Sequence, residues 1–71
     1  MPYASNDELP SSVRGHLPPG AQSIFREAFN HAFERGYGDE ATAFRIAWAA
    51  VKRRYEKVGG AWVPRAVSRA G

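Results

Sequence analysis

A chain of 71 residues buries only about 60% of the surface its unfolded form exposes, so nearly every large apolar side chain is needed inside. The cysteine count is zero, which excludes a disulfide framework, a thiolate nucleophile and a cysteine-ligated zinc site. The net charge of +3 is unevenly placed, with three Arg against four acids in residues 1–35 and seven Lys or Arg against three acids in residues 36–71. Such a basic half attracts acidic protein, nucleic acid or anionic lipid alike.

The opening residues, Met1 to Glu8, have neither the basic region nor the apolar run of a secretion leader. No stretch approaches the roughly 18 apolar residues of a membrane span, and the chain is expected to be cytoplasmic. The segment from Leu9 to Ala21 repeats a Leu-Pro-x-x-apolar unit, Leu9-Pro10 leading to Val13 and Leu17-Pro18 leading to Ala21. It predicts a short helix near residues 10–16, with Leu9, Val13 and Leu17 closing one side of whatever follows.

Next, Ala21, Ile24, Phe25, Ala28, Phe29, Ala32 and Phe33 fall at i, i+3, i+4, i+7, i+8, i+11 and i+12, the spacing of one helix face. Pro19 suits a first helical position and Gly36 a left-handed cap. The spacing therefore predicts a helix over residues 19–35, about 25 Å long. Its other face carries Gln22, Ser23, Arg26, Glu27, Asn30, His31, Glu34 and Arg35. Asn30 is a mediocre helix former in an interior position, and bonding to the N-terminal segment would explain it as well as contact with a partner would.

The third pattern starts at Asp39, a good N-cap, followed by Glu40 at the positive end of the dipole. Phe44, Ala47, Trp48, Val51, Tyr55 and Val58 keep helical spacing, and Gly59-Gly60 is expected to stop the helix. The connection Gly36-Tyr37-Gly38 is short enough to make an antiparallel pair with the aromatic faces together. Small residues at Ala28, Ala32, Ala43, Ala47 and Ala50 would let the two backbones approach closely. Ala61 to Pro64 is strand-like but too short to stand alone, and pairing with Pro2-Tyr3-Ala4 is the expected sheet. The fold class expected is mainly α: a short helix on an antiparallel hairpin of two long helices, with a small two-stranded element joining the terminal segments. Residues 1–63 are expected to form one domain and residues 64–71 a flexible tail.

Taken in order, Leu9-Pro-x-x-Val13, Leu17-Pro18, Ala21-Gln22-x-Ile24, Ala28-Phe29-Asn30 and Ala47-Trp48-Ala-Ala-Val51-Lys52 with Tyr55 and Lys57 make a specific set. On these residues the sequence resembles the ChaB family, from about Met1 to Trp62. The resemblance implies a small, mostly helical fold with a little terminal β-structure and a role in modulating a cation/proton antiporter of the inner membrane. Some members carry an insertion between the two long helices that this chain lacks. Viral ChaB-like proteins, for which nucleic-acid association has been proposed, also exist.

The aromatic stripe reads as core, because a domain this small can hardly fold with Phe25, Phe29, Phe33, Phe44 and Trp48 exposed. Glu27 and His31 have i, i+4 spacing, but two ligands do not make a metal site, and His16 and His31 read as solvated. No nucleophile elbow, phosphate-binding glycine loop or His-Glu-x-x-His motif is present, so neither catalysis nor a cofactor is expected. The recognition surface expected is Arg45, Lys52, Arg53, Arg54 and Lys57, against the alternative that these charges only complement the helix dipole. The partner this surface fits is an acidic protein surface, such as the cytoplasmic part of a cation antiporter. Nucleic acid, bound with steep salt dependence, and a second copy of the chain are the other occupants.

Overall fold

The computed structural model describes residues 3–36 and 39–65. A 3₁₀ turn, Asn6–Glu8, leads to α1 (Ser11–Arg14), α2 (Pro19–Glu34), α3 (Glu40–Arg54), β1 (Tyr55–Val58) and β2 (Ala61–Pro64). Pro19 takes the first position of α2, where its missing N–H costs nothing. Gly36, at φ +75°, follows the last turn as the expected left-handed cap. Asp39 caps α3, its Oδ1 accepting from the Thr42 N–H at 3.1 Å. Tyr37 and Gly38 of the expected connection lie outside the described residues.

The core is a slab between α2 and α3. Phe25 and Phe29 are fully buried, and Phe44 of α3 meets both edge-on, with ring centroids at 5.2 and 5.6 Å. Such tilted pairs bring the positive ring edge to the negative face of the next ring. Ala32, Ala43 and Ala47 are buried where the helices come closest. Leu9, Val13 and Leu17, all at most 4% exposed, close the slab from the N-terminal side as expected. Phe33, Phe44 and Trp48 sit at its rim, half-buried.

Two expectations change at the C-terminal end. Residues 55–58 do not continue α3: Tyr55 turns to φ −128°, ψ 153°, and Tyr55–Val58 pairs antiparallel with Ala61–Pro64, Val58 opposite Ala61. Gly59 and Gly60 have φ of +58° and +84°, the two positive values of a type I′ turn that L-residues with a Cβ resist. The glycine pair therefore makes a hairpin turn rather than a helix stop. Val58, expected on the apolar helix face, is 55% exposed at the hairpin tip.

The second change is the partner of the C-terminal strand. Ala61–Pro64 pairs with β1, not with the N-terminal segment. Pro2 lies outside the described residues, while Tyr3 is bonded on both sides by one side chain: the Tyr3 N–H donates to Asn30 Oδ1 and the Asn30 amide donates to the Tyr3 carbonyl, each at 2.8 Å. Asn30 thus imitates a strand edge. It seats the Tyr3 ring on Phe29, centroids 4.9 Å apart. Burial there, and secondarily the charge of Glu40, pushes the Tyr3 hydroxyl pKa upward.

Other residues of the supposed solvent face of α2 share this duty. Arg26 Nε donates to Asn6 Oδ1 at 2.8 Å, and Gln22 Nε2 donates to the Leu17 carbonyl at 2.7 Å and the Arg14 carbonyl at 3.3 Å. Gln22, Arg26 and Asn30, spaced i, i+4, i+8, form a polar stripe under the N-terminal segment. Beyond β2, Arg65 is tied by two hydrogen bonds to α3, and residues 66–71 of the expected tail lie outside the described residues.

Two outcomes follow for stability. Asn30→Ala breaks both half-buried bonds to Tyr3 and should cost about 1–3 kcal/mol, read by urea unfolding, with Asn30→Asp losing only the donating half and falling between. The Thr42 N–H, and after it the Thr42 hydroxyl, hold the Asp39 carboxyl below its usual range. A group lowered in the folded state stabilises above its unfolded pKa and loses that contribution as pH falls through the folded value. The gap in melting temperature between wild type and Asp39→Ala should hold at neutral pH and close below about pH 4; a gap independent of pH would contradict the cap.

Candidate functional site

The seam between α2 and α3 has two unlike sides. On one, Phe25, Phe29, Phe44 and Trp48 pack ring against ring. On the other, the side chains are Ile24, Ala28 and Ala32 from α2, and Ile46 and Ala50 from α3, and they leave an open groove of about 440 Å³. The cause is volume: alanines let the helices approach, but Ala28 and Ala50, half-buried at the outer edge, are too small to fill the rim.

The walls of this apolar floor are charged. Glu27 and His31 rise from α2, and Arg53 and Arg54 from the last turn of α3. All four are exposed. Among the described residues, Arg53, Arg54 and Glu27 have no side-chain hydrogen bond or ion-pair partner. His31 accepts at Nε2 from Arg35 Nε at 2.9 Å, which puts its own proton on Nδ1.

Complementing the end of α3 does not require those two guanidinium groups. The Tyr55 N–H satisfies the Val51 carbonyl. Arg65 takes the next carbonyls, its N–H donating to Arg54 O at 2.9 Å and its Nε to Lys52 O at 2.8 Å. Arg65 is itself held by Glu56 at 3.5 Å. The hairpin folds Arg65 back onto the helix terminus, so two of the carbonyls that helix ends leave open, those of Lys52 and Arg54, are served from outside the helix.

The five basic residues expected to form one surface are therefore divided. Arg53 and Arg54 line the groove. Arg45 and Lys52, seven residues apart, project from the outer face of α3, and both are exposed. Lys57 stands on β1 with its Nζ 5.9 Å from the centre of the Trp62 ring, its cross-strand partner. Trp62 in turn packs on Trp48 at 5.9 Å.

His16 places Nδ1 2.6 Å from the Ser12 carbonyl and so donates to the end of α1. No cluster of three or more His, Cys, Asp or Glu able to hold a metal occurs among the described residues. No helix among them is long and apolar enough to cross a membrane. Sequence reasoning missed Glu27, His31 and the alanine floor as parts of one groove; the available signal was alanine at the flank of each apolar stripe rather than at its centre.

The fold is a helical hairpin closed at one end by a β-hairpin and at the side by a short helix, with a charged-walled groove along one side of the seam. The chain belongs to the ChaB family, whose model matches residues 9–65. It is 45% identical over 67 residues to the Escherichia coli protein named "Putative cation transport regulator ChaB", covering 80% of this chain and 87% of that one. An uncharacterised protein of Lymantria dispar multicapsid nuclear polyhedrosis virus is 33% identical over 51 residues, 72% of each chain. The NMR solution structure of a ChaB protein superposes with a TM-score of 0.78 at 39% identity, covering 92% of this chain and all of that one.

Arg65→Ala should fray the end of α3 without unfolding the domain. Amide exchange at Tyr55 should accelerate while that of Phe29 stays protected, with a loss of about 0.5–1 kcal/mol for bonds this exposed.

Proposed function

We propose that this protein is a non-enzymatic interaction module that binds an acidic segment of a protein partner through the α2–α3 groove, and that this contact regulates cation transport. The observation that carries the reading is the pair Arg53 and Arg54, two guanidinium groups without partners among the described residues, set beside an apolar floor. A charge that is neither paired nor needed at a helix end is available for a carboxylate, and an adjacent apolar surface supplies burial that a charged face alone lacks.

The name carried by the bacterial relatives points the same way. In this reading the partner is the cytoplasmic part of a cation/proton antiporter, and the protein acts in the cytoplasm. Arg45 and Lys52, on the outer face of α3, then supply long-range attraction more than contact.

The test is capture of the cation/proton antiporter of the source cell from detergent-solubilised membranes by the immobilised protein, identified by mass spectrometry. Reversing both charges, Arg53→Glu with Arg54→Glu, should leave the melting temperature within a few degrees of wild type and reduce capture at least tenfold. Undiminished capture by the doubly reversed protein would overturn the reading. So would binding to duplex DNA that falls steeply with salt and is lost in the same variant, since the basic pair would then serve nucleic acid.

A further inference from the structure

Resting on the groove reading above, the geometry points to the form of the occupant: we infer that the groove takes an amphipathic α-helix of the partner, aliphatic along one face, with carboxylates on the flank facing α3 and a basic or amide side chain on the flank facing Glu27.

Three observations converge on this. The first is length. Ile24 to Ala32 on α2 and Ile46 to Arg54 on α3 each cover nine residues, about 12 Å of helix from first to last. That is a little over two turns, the reach of anchors at i, i+4 and i+7 on a third helix laid along the seam.

The second is backbone chemistry. Both walls are helices, whose N–H and C=O groups are bonded within the element except in the terminal turns, and at the end of α3 the Lys52 and Arg54 carbonyls are taken by Arg65. The floor is carbon, from Ile24, Ala28, Ala32, Ile46 and Ala50. An extended peptide pressed onto it would lose water from its own backbone groups and find no edge to pair with, at a cost of about 1–3 kcal/mol for each. A helix arrives with those groups already satisfied. The β1–β2 sheet, the one sheet among the described residues, contributes no residue to the groove.

The third is charge. The walls carry opposite signs on opposite helices, Glu27 from α2 against Arg53 and Arg54 from α3, without an ion pair between them. An occupant of uniform acidity would face Glu27 unfavourably. One with charges segregated to its two flanks meets both walls, and this also fixes which way its apolar face points.

Two synthetic peptides of about 18 residues and identical composition test the inference. One places Leu and Ala at i, i+4 and i+7 with Glu on one flank and Lys on the other; its counterpart scrambles the pattern. Each is titrated by fluorescence anisotropy, and by amide chemical shifts, into wild type, Ala28→Gln, Ala50→Gln and the Arg53→Glu/Arg54→Glu variant, all first shown to be folded by circular dichroism. The patterned peptide should bind about tenfold or more tightly than the scrambled one. Its shifts should centre on Ile24, Ala28, Ile46 and Ala50, and either floor substitution should weaken it by about tenfold.

Equal binding of the two peptides, lost only when the arginines are reversed, would overturn the helix inference and leave the acidic-segment reading standing. Binding of the patterned peptide that ignores the arginine reversal would overturn both the acidic-segment reading and the charge-segregated form of the occupant, leaving only an apolar groove. Failure of the patterned peptide to shift any floor residue would overturn the inference outright.

Discussion

Phe25 and Phe29 lie one turn apart on α2, both fully buried, and between them they touch Tyr3, Phe33, Phe44 and Trp48. Leu9, Val13 and Leu17 join this cluster from the N-terminal side, α3 adds Ala43, Ala47 and Val51, and the β-hairpin packs against it through Tyr55 and Trp62. Among the described residues no second apolar cluster compensates, so the orientation of α2 relative to α3 is set by how these rings interlock. The asymmetry of the seam follows. Aromatic volume on one flank and alanine on the other leaves one side packed and the other grooved.

The end of α3 shows how a local conformational demand redirects chemistry some distance away. Gly59 and Gly60 accept the two positive φ values of a tight turn, β2 returns beside β1, and Arg65 arrives at the carbonyls of Lys52 and Arg54. Once an arginine from outside the helix occupies that terminus, Arg53 and Arg54 have no structural task among the described residues. They stand instead beside the floor formed by Ile46 and Ala50, at the wall of the groove, and the proposed recognition role rests on that placement.

Much of the fold was legible in residue order. The 3.6-residue spacing from Ala21 to Phe33, the N-cap at Asp39 and the Leu9, Val13, Leu17 triplet each named an element or a contact that the structure contains. The misreadings have a common source. Tyr55 and Val58 sit at helical spacing from Val51, and they also sit where strand residues would; periodicity over so few positions does not separate the two. The following Gly-Gly is compatible with a helix stop or a hairpin turn, and only the return of Ala61–Pro64 to Tyr55–Val58 decides for the turn. Among the site residues, the basic run was visible as composition, but its division between groove, outer face and strand was not.

By itself, the order of residues determined which faces are apolar, where α2 and α3 begin, and that a small helical domain must spend nearly all of its large side chains inside, because these depend on spacing and on the local preferences of Pro, Asp and Gly. Only the tertiary structure decided that Asn30 serves as an edge for Tyr3, that β1 pairs with β2, and that two arginines of four neighbouring basic side chains border an apolar groove. Those outcomes depend on distances between segments remote in the chain, and such distances are set by the packed volumes of Phe25, Phe29 and the alanines between the helices rather than by any residue read with its neighbours.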